Sequence, residues 1–527
     1  LKTRSILGVL FGALACAGLF FLAKASSQKK QYEKKDHIVV NLGFVPLEPH
    51  PHFLRDTHSA LLAIHLYEGL FRSGPGGVLL PGLAEQLHLS EDGLHYRVTL
   101  RQSFWSNGLP LTANDFVRSW RNAIAPEGRI CPHGMHFNLI SGVEGFRLGA
   151  VSWSSVALVA EDDQTLVFSL KHPVPYFDKL LTLPIFFPVH PDYKSHEVVT
   201  NGPFRLKDSK WGEGMVLERN PFYWDAASVK LSEIRVLFIE EPSTQTILFE
   251  RGEIDCIGGG LLNIPHEASE NMKETGLLSD PYNVSSVTYV ALNTLSGPFR
   301  SEKVRHAFSA GLNRDELARA LFKRSLQAYS YLPPPLSPRK ERRLLQESPE
   351  IAKKLLQEGM DELRLSLADI GEMRLLCSEA GSKLAQALQQ QWAEYLGVLV
   401  SIETIEFRSL LARMSDGDFH FAIVGSVADY RDPYTFFENF TQSDYPSNYT
   451  GWSPSYFCRL FQEGLSLKGE QRERHVEIME DFFLAEMPLI PIAFGREVFG
   501  MQPRLRGVHT SDMLLVDFSR AYWDQCE

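Results

Sequence analysis

Two histidine pairs have a spacing that could grip a metal ion, His50 with His52 and His133 with His136. Neutral imidazoles at such spacings can hold nickel, copper or zinc, the borderline ions that nitrogen donors suit. The other reading is loop or surface histidine: His50 and His52 alternate with Pro49 and Pro51, which stiffens the stretch, and Cys131 adds only one more soft donor near His133. Catalytic patterns start and break off. His266 and Glu267 open an H-E-x-x-H zinc-hydrolase sequence, but Glu270 stands where the second imidazole is needed, one helical turn on. Ser26 and Lys29 match S-x-x-K inside a polar stretch with no pocket to desolvate the lysine. Gly258, Gly259 and Gly260 lack the Lys and Ser or Thr that follow in a phosphate-cradling loop, so they read as a turn. There is no G-x-S-x-G elbow, and no close histidine and carboxylate pair marks a triad. The residues name no catalytic group, no resident metal and no cofactor.

Whatever site exists must be positioned by alternating strands and helices. Residues 37–44 read as a first strand, and Leu61, Leu62, His65, Leu66 and Leu70 fall at helical spacing within residues 58–71. Tyr96, Val98 and Leu100 alternate with Arg97 and Thr99, the period of a half-buried strand. Thr112 and Asp115 form a capping box that opens a helix through Phe116, Val117, Trp120 and Ile124. Leu166, Phe168 and Leu170 alternate again, and residues 234–239 are apolar enough for a more deeply buried strand. Asn313 and Glu316 make a second capping box. Leu384, Leu388, Trp392 and Leu396 mark one helical face that stops at Gly397, before a strand over 398–402. Four prolines within residues 332–338, followed by Arg339, Lys340, Glu341, Arg342 and Arg343, suit an exposed connection. Strands and helices interleaved in this way predict an α/β or α+β chain with several lobes. No segment repeats at a period of 20 to 50 residues, which sets aside solenoids and propellers.

Composition bounds the function. At 527 residues the chain exceeds what one hydrophobic core supports, and 44% hydrophobic residues can fill several. Lys plus Arg number 53 against 64 Asp plus Glu, a formal charge of −11, which argues against a phosphate backbone as partner. Nucleic acid is excluded as the main ligand. Lys2 and Arg4 precede an apolar run over residues 6–23 that ends in Ala23, Lys24 and Ala25, the shape of a signal peptide over residues 1–25. Its loss removes three lysine or arginine side chains and no acid, so the exported part is more acidic still. An uncleaved anchor, or lipidation at Cys16, stays open as an alternative. Residues 26–36 are polar and rich in Lys, as a tether would be. Cys131, Cys256, Cys377, Cys458 and Cys526 are widely spaced, and bridges and buried thiols are equally compatible with them.

A series of separated segments carries a resemblance. They are LAEQLHLSEDGLHYRVTLRQSFWSNGLPLTANDFVRSW from Leu83, VPYFDKLL from Val174, TNGPFRLKDSKWGEGMVLERNPFYWD from Thr200 and RGEIDCI from Arg251. ALNTLSGPFRSEKVRHAFSAGLNRDEL from Ala291, AYSYLPP from Ala328 and ADYRDPYTFFENF from Ala428 follow. In order and spacing these resemble the solute-binding proteins of peptide and nickel ABC importers, the oligopeptide-binding members above all. The resemblance covers nearly the whole exported chain.

It implies an α/β fold of the cluster C type, a bilobal periplasmic-binding-protein clamp with an extra third domain. Residues 37–71 with 200–283 and 495–527 would form lobe I, 72–199 the extra domain II, and 284–494 lobe III. Two crossovers would act as the hinge, and a ligand touching both lobes would favour closure. In ADYRDP, Asp429 aligns with the acid that pairs with the ligand's α-ammonium. The physical reason is that an enclosed cation needs a partner, and a charge-assisted bond is roughly twice as strong as a neutral one. Gly425, Ser426, Val427 and Ala428 would run beside the peptide as a strand, as Gly43, Phe44 and Val45 would on the other lobe, so that backbone bonds grip any sequence.

Departures from the pattern bear on the ligand. Ile423 stands where an Arg helps hold the peptide carboxylate, Ser426 where a Trp walls the pocket, and Val427 where some members carry a bridging Cys. Ser285 marks the partner region, which has no Cys, so that disulfide cannot form. Arg408, Lys383 and Arg431 are the cations left to take the carboxylate. The resemblance thus implies a monomeric, periplasmic receptor for short peptides, serving ABC permease subunits in the inner membrane, with no enzyme activity. A receptor for a nickel-like metal complex or another small solute is the runner-up, and an exported hydrolase comes last.

Overall fold

A computed structural model describes residues 35–524, apart from 46–48, 55, 129–130, 132, 194–197, 211–213, 322–324, 341–342, 367–372, 444 and 446. The expected signal peptide with Cys16, the tether up to residue 34, and Cys526 lie outside these residues. Three sheets organise the chain.

The first has four strands, in the order His37–Asn41, Glu233–Leu237, Gly214–Arg219, Phe204–Lys210. His37–Asn41 pairs in parallel with Glu233–Leu237, setting Ile38 beside Ile234 and Val40 beside Val236. All four side chains are buried with Leu61, Leu62 and Leu66 of the helix Thr57–Leu66. The sequence pattern over 234–239 suggests a strand buried on both faces, but Arg235 is exposed between Ile234 and Val236. One face is therefore solvated. The first strand also stops short of residue 44. Asn41 Oδ1 accepts N–H bonds from Gly43 at 3.2 Å and Ile239 at 2.8 Å, and Gly43 turns the chain at φ +81°. Gly43, Phe44 and Val45 are thus not a strand, because a positive φ that suits glycine ends the extended run.

The second sheet is antiparallel, in the order Ala84–Leu89, His95–Leu100, Thr165–Ser169, Leu158–Ala160. Tyr96, Val98 and Leu100 point into its core with Leu166 and Phe168, as their alternation requires. The helix Ala113–Ile124 opens on the Thr112 and Asp115 capping box and buries Phe116 and Trp120. Trp120 Nε1 donates to Phe186 O at 2.9 Å, so even the polar tip of that ring is satisfied.

The third sheet has six strands, in the order Leu326–Gln327, Leu489–Glu497, Tyr282–Leu292, Phe421–Val427, Arg374–Cys377, Ser401–Thr404. Arg374–Cys377 pairs in parallel with both its neighbours, and the remaining pairs are antiparallel. The helix Ser382–Leu396 packs on it and ends at Gly397 with φ +71°, where a left-handed residue satisfies the last carbonyls. The following strand starts at Ser401, three residues after the 398 expected.

One apolar core runs without a break from the second sheet into the third, while the first sheet has its own. Tyr176 stacks on Tyr430 across that continuity, with centroids 5.0 Å apart and planes 11° apart. The proline-rich stretch is not exposed. Leu332 and Leu336 are buried, and Glu480 Oε1 accepts the N–H groups of Tyr331 and Leu332 at 3.0 and 2.8 Å. A partner about 150 residues away in the chain, invisible to local composition, pulls it inward. Cys131, Cys256, Cys377 and Cys458 are free thiols.

Candidate ligand-binding site

The strand Phe421–Val427 starts buried and ends accessible. Along one edge it pairs with Tyr282–Leu292 over its whole length, from Leu292 opposite Phe421 to Ser286 opposite Val427. Along the other edge it meets Arg374–Cys377 only at Phe421 and Ala422. Past Ala422, no strand among the described residues lies beside that edge. Ala428 N donates to Ser285 O at 2.8 Å, and the alternation of an antiparallel ladder then turns the N–H and C=O groups of Gly425 and Val427 to the free edge. Ser426 Oγ lies 3.2 Å from Tyr289 Oη, where a hydroxyl rather than a large ring fills the wall.

Asp429 leaves the strand with its N–H donated to Thr435 Oγ1 at 3.1 Å. Its carboxylate lines two cavities. The larger, about 250 Å³, is walled by Val427, Ala428 and Asp429 on one side and by Asp56, Thr57 and Ala60 at the start of the helix Thr57–Leu66 on another. The smaller, about 80 Å³, runs past Tyr67, Glu68, Arg72 and Tyr223. Asp429 keeps accessible surface on these walls, yet protein crowds it enough that burial raises its carboxyl above the ordinary aspartate value, with His133 pulling the other way. Behind it, Tyr430 Oη donates to Glu438 Oε2 at 2.9 Å, and burial holds Glu438 well above the usual carboxylate range. An incoming cation would give Asp429 a charge-assisted partner.

Val427, Ala428 and Asp429 therefore meet at a cavity, with Gly425 and Ser426 just before them on the same strand. Gly43, Phe44 and Val45 line neither cavity, and the Phe44 ring packs on His58 at 4.6 Å. Ile423 is buried and apolar, so no cation replaces the missing Arg there. Arg408 and Lys383 are exposed and line neither cavity. Arg431 faces a different cavity of about 480 Å³, together with Lys179, Asp432 and Arg472, and pairs with Asp512 at 3.7 Å. A guanidinium that does line the smaller of the two Asp429 cavities is that of Arg72, which sequence reasoning missed. It follows Phe71 in a three-residue strand and nothing local marks it.

The histidine pairs part company. His52 Nε2 bonds Phe187 O at 2.9 Å, His50 Nδ1 accepts the His52 N–H at 3.1 Å, and burial lowers the His52 ring to about 3. This pair is used to build a buried corner. Cys131 Sγ donates to His52 O at 3.0 Å, and burial pushes its thiol up to about 11. His133 and His136 instead stand beside Asp429, with one ligating atom of each of the three within 4.8 Å of the others. Burial lowers the His136 ring to about 3, so it is neutral.

Residues 78–448, well over half of the chain, match the family described as bacterial extracellular solute-binding proteins, family 5 Middle. The chain is 29% identical over 517 residues to the oligopeptide-binding protein OppA of Bacillus subtilis, covering 94% of each. Its fold superposes on that of a Haemophilus influenzae OppA in complex with RPPGFSPFR with a TM-score of 0.81 at 23% identity, covering 94% of this chain and 100% of the other. The murein tripeptide binding protein MppA of Escherichia coli gives 0.81 at 23% identity, covering 93% and 99%. Among the described residues no helix is long and apolar enough to cross a membrane.

Proposed function

The chain belongs to the bacterial extracellular solute-binding proteins of family 5, and from that premise we propose that it captures short peptides and hands them to the permease of an ABC importer. The observation that carries this reading is Asp429: an accessible carboxylate on a cavity wall, just past a strand whose outer edge meets no other strand beyond Ala422 among the described residues. Asp429 would take the α-ammonium, while Gly425, Ser426, Val427 and Ala428 would add the peptide as a strand, which binds main chain whatever its side chains. Arg72, across the smaller cavity, is the proposed partner of the peptide carboxylate. A volume of about 250 Å³ sits below the roughly 300–1,000 Å³ of drug-sized pockets and favours a short ligand. The strand role expected of Gly43, Phe44 and Val45 is not retained, because the chain turns there.

The three sheets support the proposed division into lobe I, the extra domain II and lobe III. The pairing of Tyr282–Leu292 with Leu489–Glu497 slips between Asn283 and Val287, close to both proposed crossovers, where a hinge needs a weak ladder. Export to the periplasm by a signal peptide over residues 1–25 belongs to the same proposal, with an uncleaved segment or lipidation at Cys16 as the alternatives, as do a monomeric state and the absence of catalysis. Native mass spectrometry of protein purified without refolding, with sequencing of what it releases, tests it. A mixture of short peptides is expected, and a single non-peptide compound would overturn the reading.

A further inference from the structure

We propose that His133, His136 and Asp429 form a binding site for a divalent transition metal of the zinc, nickel or copper class, whose open coordination positions face the ligand cavity. The inference rests on the peptide reading to the extent that Asp429 serves both.

Local geometry brings the two imidazoles together. His133 precedes and His136 lies within the 3-10 helix Gly134–Leu139, where three residues make a turn and positions i and i+3 eclipse. The rings are accordingly parallel to within 4°, with centroids 6.3 Å apart. The long-range fold adds Asp429, and one ligating atom of each residue lies within 4.8 Å of the others. Modest side-chain rotation would bring these atoms to the roughly 2.0–2.2 Å at which imidazole nitrogen and carboxylate oxygen reach zinc.

His136 is the unexplained residue. It is 5% exposed, yet among the described residues no hydrogen bond reaches its ring. The other buried histidines are used: His52 bonds Phe187 O, His65 bonds Leu61 O and Phe518 N, and His475 bonds Leu460 O. The ring nitrogens of His136 are not sealed from solvent, so they stay open to a ligand. Two neutral imidazoles and one carboxylate are the donors that borderline metals choose, and three protein ligands leave room for an exchangeable fourth.

The cavity suggests that fourth ligand. A peptide's terminal amine and first carbonyl oxygen form a five-membered chelate that would fill a fourth and a fifth position, the ammonium releasing its proton to bulk water as its lone pair binds the metal. The metal would then replace the direct ammonium–carboxylate pair, and the receptor would accept amino-terminal metal chelates as well as free peptides. Phe137, next to His136, packs in the core that the second and third sheets share, and Asp429 follows a strand of the third, so the ion would add a tie within that shared body.

The test titrates the full chain, stripped with chelator, with Co²⁺ followed by visible absorption and with Zn²⁺ followed by calorimetry. One equivalent is expected, and His133→Ala or Asp429→Asn should weaken it by at least the roughly 10–100-fold that losing an outer-shell partner costs. His133 is exposed, so its removal leaves the fold intact, which a thermal melt checks. Adding a free tripeptide should change the Co²⁺ spectrum, and the N-acetylated tripeptide should not. Absence of stoichiometric metal in the parent protein, or unchanged affinity in His133→Ala, overturns the inference. If metal-free protein still binds the tripeptide in that case, the peptide reading stands alone; if it binds neither, both fall.

Discussion

Ala428 donates its backbone N–H to Ser285 O at 2.8 Å, and this bond decides where Asp429 stands. It is the last rung between the strands Tyr282–Leu292 and Phe421–Val427, and the next residue is released from the ladder to the cavity wall. A rigid strand end, rather than a loose loop, presents the carboxylate. The entropy of ordering it is spent in folding and not at binding.

Arg72 tests the other end of the ligand. In Arg72→Gln, affinity for a free tripeptide should fall by about tenfold or more, since a charge-assisted bond is worth roughly 1.5–3 kcal/mol. The same peptide with an amidated carboxyl terminus should bind parent and variant alike. Calorimetry with the two peptides checks this, and equal losses for both would show that Arg72 only supports the fold.

Lys179 links the second sheet's body to the third. Its Nζ donates to Arg431 O at 2.9 Å and to Asp432 Oδ2 at 3.3 Å, while Arg472 holds Asp432 from the other side at 2.6 Å. The lysine is partly exposed, so the bridge is worth about 1 kcal/mol or less. Lys179→Ala should lower peptide affinity up to roughly fivefold, with little change in melting temperature.

Glu480 anchors the proline-rich stretch. It is fully buried, accepts two backbone N–H groups, and faces Arg339 Nε at 3.3 Å. Glu480→Ala leaves two buried N–H donors unpaired, while Arg339 keeps Asp481 at 2.6 Å and Glu477 O at 2.7 Å, and should cost about 2 kcal/mol or more. Glu480→Gln keeps an acceptor for the N–H groups and should cost less. Denaturant unfolding of both variants decides.

Acid should destabilise the protein through its buried histidines. His52 and His136 are held neutral down to about 3 in the folded chain, whereas in the unfolded chain they protonate near 6.5. Between those values the unfolded state binds more protons, so stability falls as pH falls through that window, by at most roughly 1.4 kcal/mol per pH unit for each ring. Melting temperatures from pH 7 to pH 4 in the presence of chelator should decline, and less steeply in His136→Gln.

Legibility in the sequence divided by range. The capping box at Thr112 and Asp115, the alternation of Tyr96, Val98 and Leu100, and the stop at Gly397 are local signals, and the structure holds each of them. The early end of the first strand was hidden because Asn41 is captured by Ile239, a contact fixed only when the sheet forms. The inward turn of the prolines depends on Glu480 in the same way. Asp429 was found through the order of its neighbouring motifs. Its meeting with His133 and His136 joins segments nearly three hundred residues apart, which no spacing rule can see.

If Asp429 reads a peptide's free amino terminus, calorimetric titration of metal-free protein with a tripeptide and with its N-acetylated form, in parent and Asp429→Asn, will show it. Acetylation and the substitution should each weaken binding by about tenfold or more, and together cost little beyond either alone. Undiminished affinity for the free tripeptide in Asp429→Asn would contradict it.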